Sequence, residues 1–206
     1  MSRLLILGTR NRKKLVELAE LFEPHGIHVK ALDEFPQAIE VEESGDTFAA
    51  NAALKATVQA RHLKQWVLGE DSGLCVDALG GAPDVRSARF SGNGATDATN
   101  NALLLAKLEG VPLEKRTAHY VCHATLSDPS GEIRAESEDY CRGRILRAES
   151  GRGGFGYDPL FEVVEYHQTF GELNPAVKWV VSHRARAIRA MVRQILALVR
   201  DGQWPQ

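Results

Sequence analysis

The sequence predicts an α/β protein built on a mixed sheet, and three observations carry that reading. Short apolar runs of strand length alternate with segments whose apolar residues recur every three or four positions. The stretch Thr117 to Leu126 alternates apolar and polar side chains, and Asp128-Pro129-Ser130-Gly131 follows it as a turn signal, so a long hairpin belongs to the sheet. At 206 residues the chain fits one domain, or one domain with two lobes, and can bury a real core.

Leu4-Leu5-Ile6-Leu7 reads as a buried strand. The helix after it carries Leu15, Leu18, Ala19 and Phe22 on one stripe, and Pro24 and Gly26 end it. Ile27, Val29 and Ala31 alternate with His28 and Lys30, the pattern of a half-covered strand. Residues 33–46 are acidic and irregular. A long helix then begins near Thr47, with Asp46 as its expected N-cap. Its Ala49, Ala52, Ala53, Ala56, Ala60 and Leu63 form a stripe of small residues that permits close packing. Trp66-Val67-Leu68 is the next strand and delivers the chain to an acidic turn, Glu70-Asp71-Ser72-Gly73. The hairpin partner of residues 117–126 spans Glu132 to Arg144. The last helix carries Ile188, Met191, Val192, Ile195 and Val199 on one face, with Gly202 suited to its end.

Composition narrows the function classes. Hydrophobic residues at 44% and charged residues at 25% describe an ordinary globular protein. A net charge of −2 argues against a general nucleic-acid binder, which needs a basic face. Cys75, Cys122 and Cys141 are widely spaced and form no Cys-x-x-Cys pair, so each reads as a small core residue in a reducing compartment. The first apolar run is too short for a signal segment or a membrane span, and a cytoplasmic location is the expectation.

Two charged segments point to chemistry. Arg10, Arg12, Lys13 and Lys14 put cations where a helix start carries partial positive charge, each unfavourable by about 0.3–1 kcal/mol. A bound anion, held by free backbone N–H groups and these side chains, resolves that conflict; Thr9 and Asn11 add hydrogen-bonding groups to the same turn. The segment lacks Walker A spacing. His183 and Arg184 repeat the misplacement at the last helix, where Ser182 is the expected N-cap. Together they suggest two sides of one polyphosphate site, against the plainer reading of a solvated basic surface. The adjacent carboxylates Glu70 and Asp71 suit Mg²⁺, which takes oxygen ligands and shares them with substrate phosphates. A carboxylate there can also accept a proton from attacking water. Glu42-Glu43 offers further oxygens. An exposed acidic turn is the plainer alternative.

Gly151-Arg152-Gly153-Gly154-Phe155-Gly156 matches the dinucleotide fingerprint literally, but Tyr157-Asp158-Pro159 follows where a helix is required. The better reading is a loop presenting Phe155 for stacking on a base, with Asp158 near its polar edges.

Taken in order, Thr9-Arg10-Asn11-Arg12-Lys13-Lys14, Asp71-Ser72-Gly73-Leu74, Ala78-Leu79-Gly80-Gly81-Ala82-Pro83, Ser87-Ala88-Arg89-Phe90-Ser91-Gly92, Gly153 to Pro159 and Ser182-His183-Arg184 resemble the inosine triphosphate pyrophosphatase family, which acts on non-standard purine triphosphates. The set spans nearly the whole chain. The resemblance implies one domain over residues 1–206, a two-lobed α/β fold around a long mixed sheet with flanking helices, an active site in the cleft between lobes, and a homodimer. It implies hydrolysis of ITP, dITP and XTP between the α and β phosphates, with Mg²⁺ and without nucleic-acid or membrane partners. By position Asp71 is the general base and a metal ligand, and Glu43 the other metal ligand. Thr9, Arg10, Asn11, Arg12, Lys13 and Lys14 hold phosphates, and Ser72 contacts substrate. Phe155, Gly156, Tyr157, Asp158, Lys178, His183 and Arg184 form the nucleotide pocket. The sequence departs from the family pattern in three places. Ala50 stands where many members carry Glu, Glu70 replaces a frequent Asp, and Asn174-Pro175-Ala176-Val177 replaces an acidic run. The alternatives are a Maf-type pyrophosphatase acting on pyrimidine or modified nucleotides, and a non-catalytic nucleotide sensor.

Overall fold

In the computed structural model β1 (Arg3–Leu7) buries Leu5, Ile6 and Leu7, as an apolar strand covered on both faces must. Residues 3–10 and 12–204 are described, without the side chains at 12–14, 16 and 17. α1 (Arg12–Phe22) places Leu18 and Phe22 in the core and gives way to a 3₁₀ turn that closes on Gly26, at φ +70°. β2 (Ile27–Ala31) runs parallel to β1.

α2 (Phe48–Leu63) starts one residue later than expected: the cap is Thr47, whose hydroxyl accepts from the Ala50 N–H, and not Asp46. The small-residue stripe has a structural partner. Ala52, Ala56 and Ala60 are fully buried, and a Cβ on Gly69 would collide with the backbone of Ala52 and Ala56. Gly69 lies in β3 (Val67–Val76), which pairs parallel with β1. This strand runs straight through Glu70-Asp71-Ser72-Gly73, so the expected acidic turn is a buried strand interior.

α3 (Asp97–Lys107) is capped by Thr96. β4 (Thr117–Ser127) and β5 (Ile133–Ile145) form the long arms on either side of the Asp128–Glu132 turn. β6 (Phe161–Val163) is antiparallel to β5 and to β7 (Gln168–Thr169). α4 (Pro175–Val181) and α5 (His183–Arg200) end the described fold. The sheet is mixed, in the order β2-β1-β3-β4-β5-β6-β7.

The chain divides into two compact units. Unit 1 is Met1–Asp71, Cys122–Asp139 and Arg184–Gln206; unit 2 is Ser72–Val121 and Tyr140–His183. Unit 1 packs Leu5, Leu18, Phe22, Leu68, Ile188, Met191 and Ile195 together, closed by Trp204 stacked on Trp66 at 4.4 Å. Unit 2 packs Leu74, Leu104, Tyr120, Phe161 and Phe170. Among the described residues no helix is long and apolar enough to cross a membrane.

Candidate active site

Successive side chains of a strand point to opposite faces, and this separates Glu70 from Asp71. Asp71 meets α2. Its Oδ1 accepts from Lys55 Nζ at 2.9 Å and its Oδ2 from Asn51 Nδ2 at 3.2 Å. Lys55 Nζ also lies 3.1 Å from Glu43 Oε2, so one ammonium joins two carboxylates from separate segments. Asn51 Oδ1 in turn accepts from the Gly45 N–H, which ties the acidic segment to the start of α2. Glu70, on the other face, accepts from Arg184 Nε at 3.1 Å and from the Cys122 thiol at 3.4 Å. Both charged partners of that pair are about 95% buried (side-chain exposures of 5% and 6%).

Burial raises the Asp71 carboxyl above its ordinary range; Glu43 adds to the rise, while Lys55 and Asn51 pull against it. Lys55 is a fixed cation, because the carboxylates of Asp71, Glu43 and Glu70 outweigh the burial that would lower it. Each carboxylate oxygen keeps a free lone pair beside its Lys55 or Asn51 bond. Among the described residues no three His, Cys, Asp or Glu side chains converge on one point. Asp71 and Glu43 are the carboxylates that could hold a divalent cation, since such an ion can be held by one or two carboxylates with the remaining positions on water and substrate phosphate. Cys75 is excluded as a nucleophile: burial and the nearby carboxylates of Asp84 and Asp77 push its thiol up to about 11.

In unit 2 the glycine-rich segment is a loop without a following helix, because Pro159 disfavours helical geometry at Asp158. Asp158 is buried and caps its own turn by accepting from the Phe155 N–H at 2.8 Å. It also accepts from Lys178 Nζ at 2.7 Å. The Lys178 ammonium stands 5.4 Å from the ring centroids of both Phe155 and Phe170. Tyr157 turns inward to the core and donates to the Ser87 carbonyl at 2.8 Å; burial, then the Asp97 charge, keeps its hydroxyl protonated. His183 is buried and stacks on Tyr120 at 4.7 Å.

The remaining expected residues fall as follows. Thr9 is half-buried beyond β1 and Arg10 is exposed. Arg12, Lys13 and Lys14 begin α1, with side chains outside those described, and Asn11 lies outside the described residues. Ser72 is half-buried on β3, and Gly156 adopts φ +61°. The second helix-start conflict is met from inside the protein, since Glu70 takes the charge of Arg184 at the start of α5. Asn51 and Lys55 were not singled out from the sequence. A signal was present: Asn51, Lys55 and Gln59 form a polar file at four-residue spacing along an alanine-rich helix, and all three are buried.

The sequence pattern of the Ham1 family matches residues 5–194. The chain belongs to the Ham1 family. It is 55% identical over 197 residues to a Rhodopirellula baltica protein named dITP/XTP pyrophosphatase, covering 96% of this chain and 95% of that one. A Desulforamulus reducens protein of the same name is 51% identical over 185 residues, covering 90% of this chain and 92% of its own. The Staphylococcus aureus Ham1 structure superposes with a TM-score of 0.85 at 33% identity, covering 95% of this chain and 99% of that one. For the Coxiella burnetii HAM1 protein the TM-score is 0.87, with the same identity and coverage. A seven-stranded mixed sheet with flanking helices is therefore the Ham1 fold in this chain.

Proposed function

We propose that this chain hydrolyses ITP, dITP and XTP to the monophosphate and pyrophosphate, which removes non-standard purines from the nucleotide pool. It is an enzyme, a nucleoside-triphosphate pyrophosphatase like its dITP/XTP pyrophosphatase relatives. The observation that carries the chemistry is the buried Asp71–Lys55 pair, joined at its exposed side by Glu43.

Asp71 acts as the general base. A raised carboxyl is a better proton acceptor near neutrality than an exposed one. The proton of the attacking water goes to Oδ2, whose amide bond from Asn51 is the longer of the two that Asp71 accepts. Lys55 holds the carboxylate in place and keeps it from rising further. Glu43 and Asp71 would hold Mg²⁺, which would supply neutralising charge for the leaving pyrophosphate. Thr9, Arg10, Asn11, Arg12, Lys13 and Lys14 bind phosphates at the start of α1, the end of a helix that carries partial positive charge and favours an anion. Ser72 contacts substrate.

Phe155 stacks on the base, with Gly156, Asp158 and Lys178 lining the pocket and Tyr157 and His183 supporting it from within the core, while Arg184 stays buried against Glu70. Donors aimed at a purine O6 lose a partner when adenine presents an amino group, and that is a strong basis for rejecting ATP. The working form is a cytoplasmic homodimer without nucleic-acid or membrane partners.

Pyrophosphate release over a panel of triphosphates, with and without Mg²⁺, tests the reading. ITP, dITP and XTP are expected to turn over and ATP to lag. Equal rates on ITP and ATP reject the base selectivity, and full activity without a divalent ion rejects the metal.

A further inference from the structure

The loop of residues 151–159 contains no helix or strand, yet it carries Phe155, which must hold one orientation to stack on a base. What fixes it comes from α3. Asp97 Oδ2 accepts from the Gly156 N–H at 2.8 Å, and Asn101 Nδ2 donates to the Gly156 carbonyl at 3.3 Å. Four residues apart on a helix, Asp97 and Asn101 share one face. Together they take both backbone polar groups of the residue next to Phe155.

Gly156 needs such a grip. Its φ of +61° lies in the left-handed region, where the backbone is not held by regular neighbours. Asn101 also donates to Glu149 Oε1 at 2.8 Å, so one amide ties the approach to the loop to its middle. The orientation of that amide is fixed, because turning it over would set its oxygen against two acceptors. The consequence is that Asn101 Oδ1 is buried with no hydrogen-bond partner among the described residues. The fold keeps this unmet acceptor in return for two donor contacts to the loop.

We propose that Asp97 and Asn101 are positioning residues that set base recognition by clamping Gly156. They orient Phe155 through the backbone of Gly156. They orient Lys178 through Asp158, which accepts from both the Phe155 N–H and Lys178 Nζ. Neither touches the base. The proposal rests on the reading that Phe155 and its neighbours hold the base, and the test separates the two.

Asp97 is exposed, so its variants leave the core intact, which thermal unfolding checks. Steady-state kinetics on ITP and ATP are compared for Asp97→Ala, Asp97→Asn, Asn101→Asp and Phe155→Ala. Loss of one charged acceptor raises the KM for ITP about tenfold in Asp97→Ala, with kcat within about twofold of the parent. The preference for ITP over ATP in kcat/KM falls with it. Asp97→Asn keeps an oxygen for the Gly156 N–H and stays within about threefold of the parent. Asn101→Asp, which loses the donor, shifts the same preference in the same direction; an unchanged preference there removes Asn101 from the clamp. If Phe155→Ala lowers the preference and Asp97→Ala does not, the clamp is overturned and the base reading stands. If Phe155→Ala leaves the preference unchanged, the base reading fails and takes the clamp with it. An equal fall in kcat on both nucleotides with KM unmoved also overturns the clamp.

Discussion

Lys55→Met removes the ammonium that lies 2.9 Å from Asp71 and 3.1 Å from Glu43, while keeping most of the aliphatic volume inside α2. The two contacts are unequal. The Glu43 side chain is 40% exposed, so its pairing is screened and contributes at most about 1 kcal/mol. Asp71 and Lys55 are only 12% and 11% exposed. At an effective dielectric constant of about 20 their attraction is about 6 kcal/mol before desolvation, and breaking such a buried pair typically costs about 3–5 kcal/mol. If that loss is felt in the transition state, kcat falls by about 10²- to 10⁴-fold. A second signature follows from sign. Lys55 holds the Asp71 carboxyl down against burial, so its removal moves that carboxyl further up. The base must be ionised to work, and the acidic limb of the kcat profile therefore shifts to higher pH. Pyrophosphate release from saturating dITP, followed from neutral into alkaline buffer, reads both effects. A kcat within about threefold of the parent at every pH refutes the role given to Lys55.

Asp71→Asn is expected to retain nucleotide binding by calorimetry and to lose about 10²- to 10⁴-fold in kcat; an undiminished rate removes Asp71 as the base. Asp128→Ala breaks the turn between β4 and β5, where the carboxylate accepts from the Ser130 N–H and hydroxyl, the Glu132 N–H and Arg134, and is expected to cost about 1–3 kcal/mol in denaturant unfolding. Burial pushes the Asp128 carboxyl up, but those hydrogen bonds outweigh it and lower it overall. Its contribution is therefore complete above the unfolded-state value and lost as pH falls through the lower folded value, so parent and variant should converge in acid. Gly69→Ala forces a methyl into the backbone of Ala52 and Ala56 and is expected to lower stability by about 1–3 kcal/mol or more; an unchanged melting temperature contradicts the close approach of α2 to β3.

Periodicity made the elements legible. The alternation in residues 27–31 and 117–126 and the stripe through Leu18 and Phe22 each identify an element that forms. What failed were inferences from local polarity. Glu70-Asp71-Ser72-Gly73 looks like a turn because two carboxylates and a glycine rarely occupy a strand interior. Tertiary partners override that preference, Arg184 on one face and Lys55 with Asn51 on the other. The adjacency that suggested a shared metal also misleads, since neighbouring strand residues face apart. Tyr157 and His183 lie beside the loop and helix start that motivated them, yet their rings serve the core of unit 2. No local pattern announces Asp97 or Asn101, whose grip on Gly156 spans more than fifty residues of chain.

Unit 1 is assembled from three stretches of chain, the last beginning at Arg184. During synthesis β1, α1 and β2 emerge first, but their apolar faces wait for Ile188, Met191, Ile195 and Trp204 to cover them. At roughly 5–20 residues per second that wait is on the order of ten seconds. Unit 2 has all its residues by His183 and can settle earlier, although it begins later. The nascent chain thus has every residue of unit 2 while the apolar face of its N-terminal strands is still uncovered, and a ribosome stalled before Arg184 would leave that face open to chaperones and proteases.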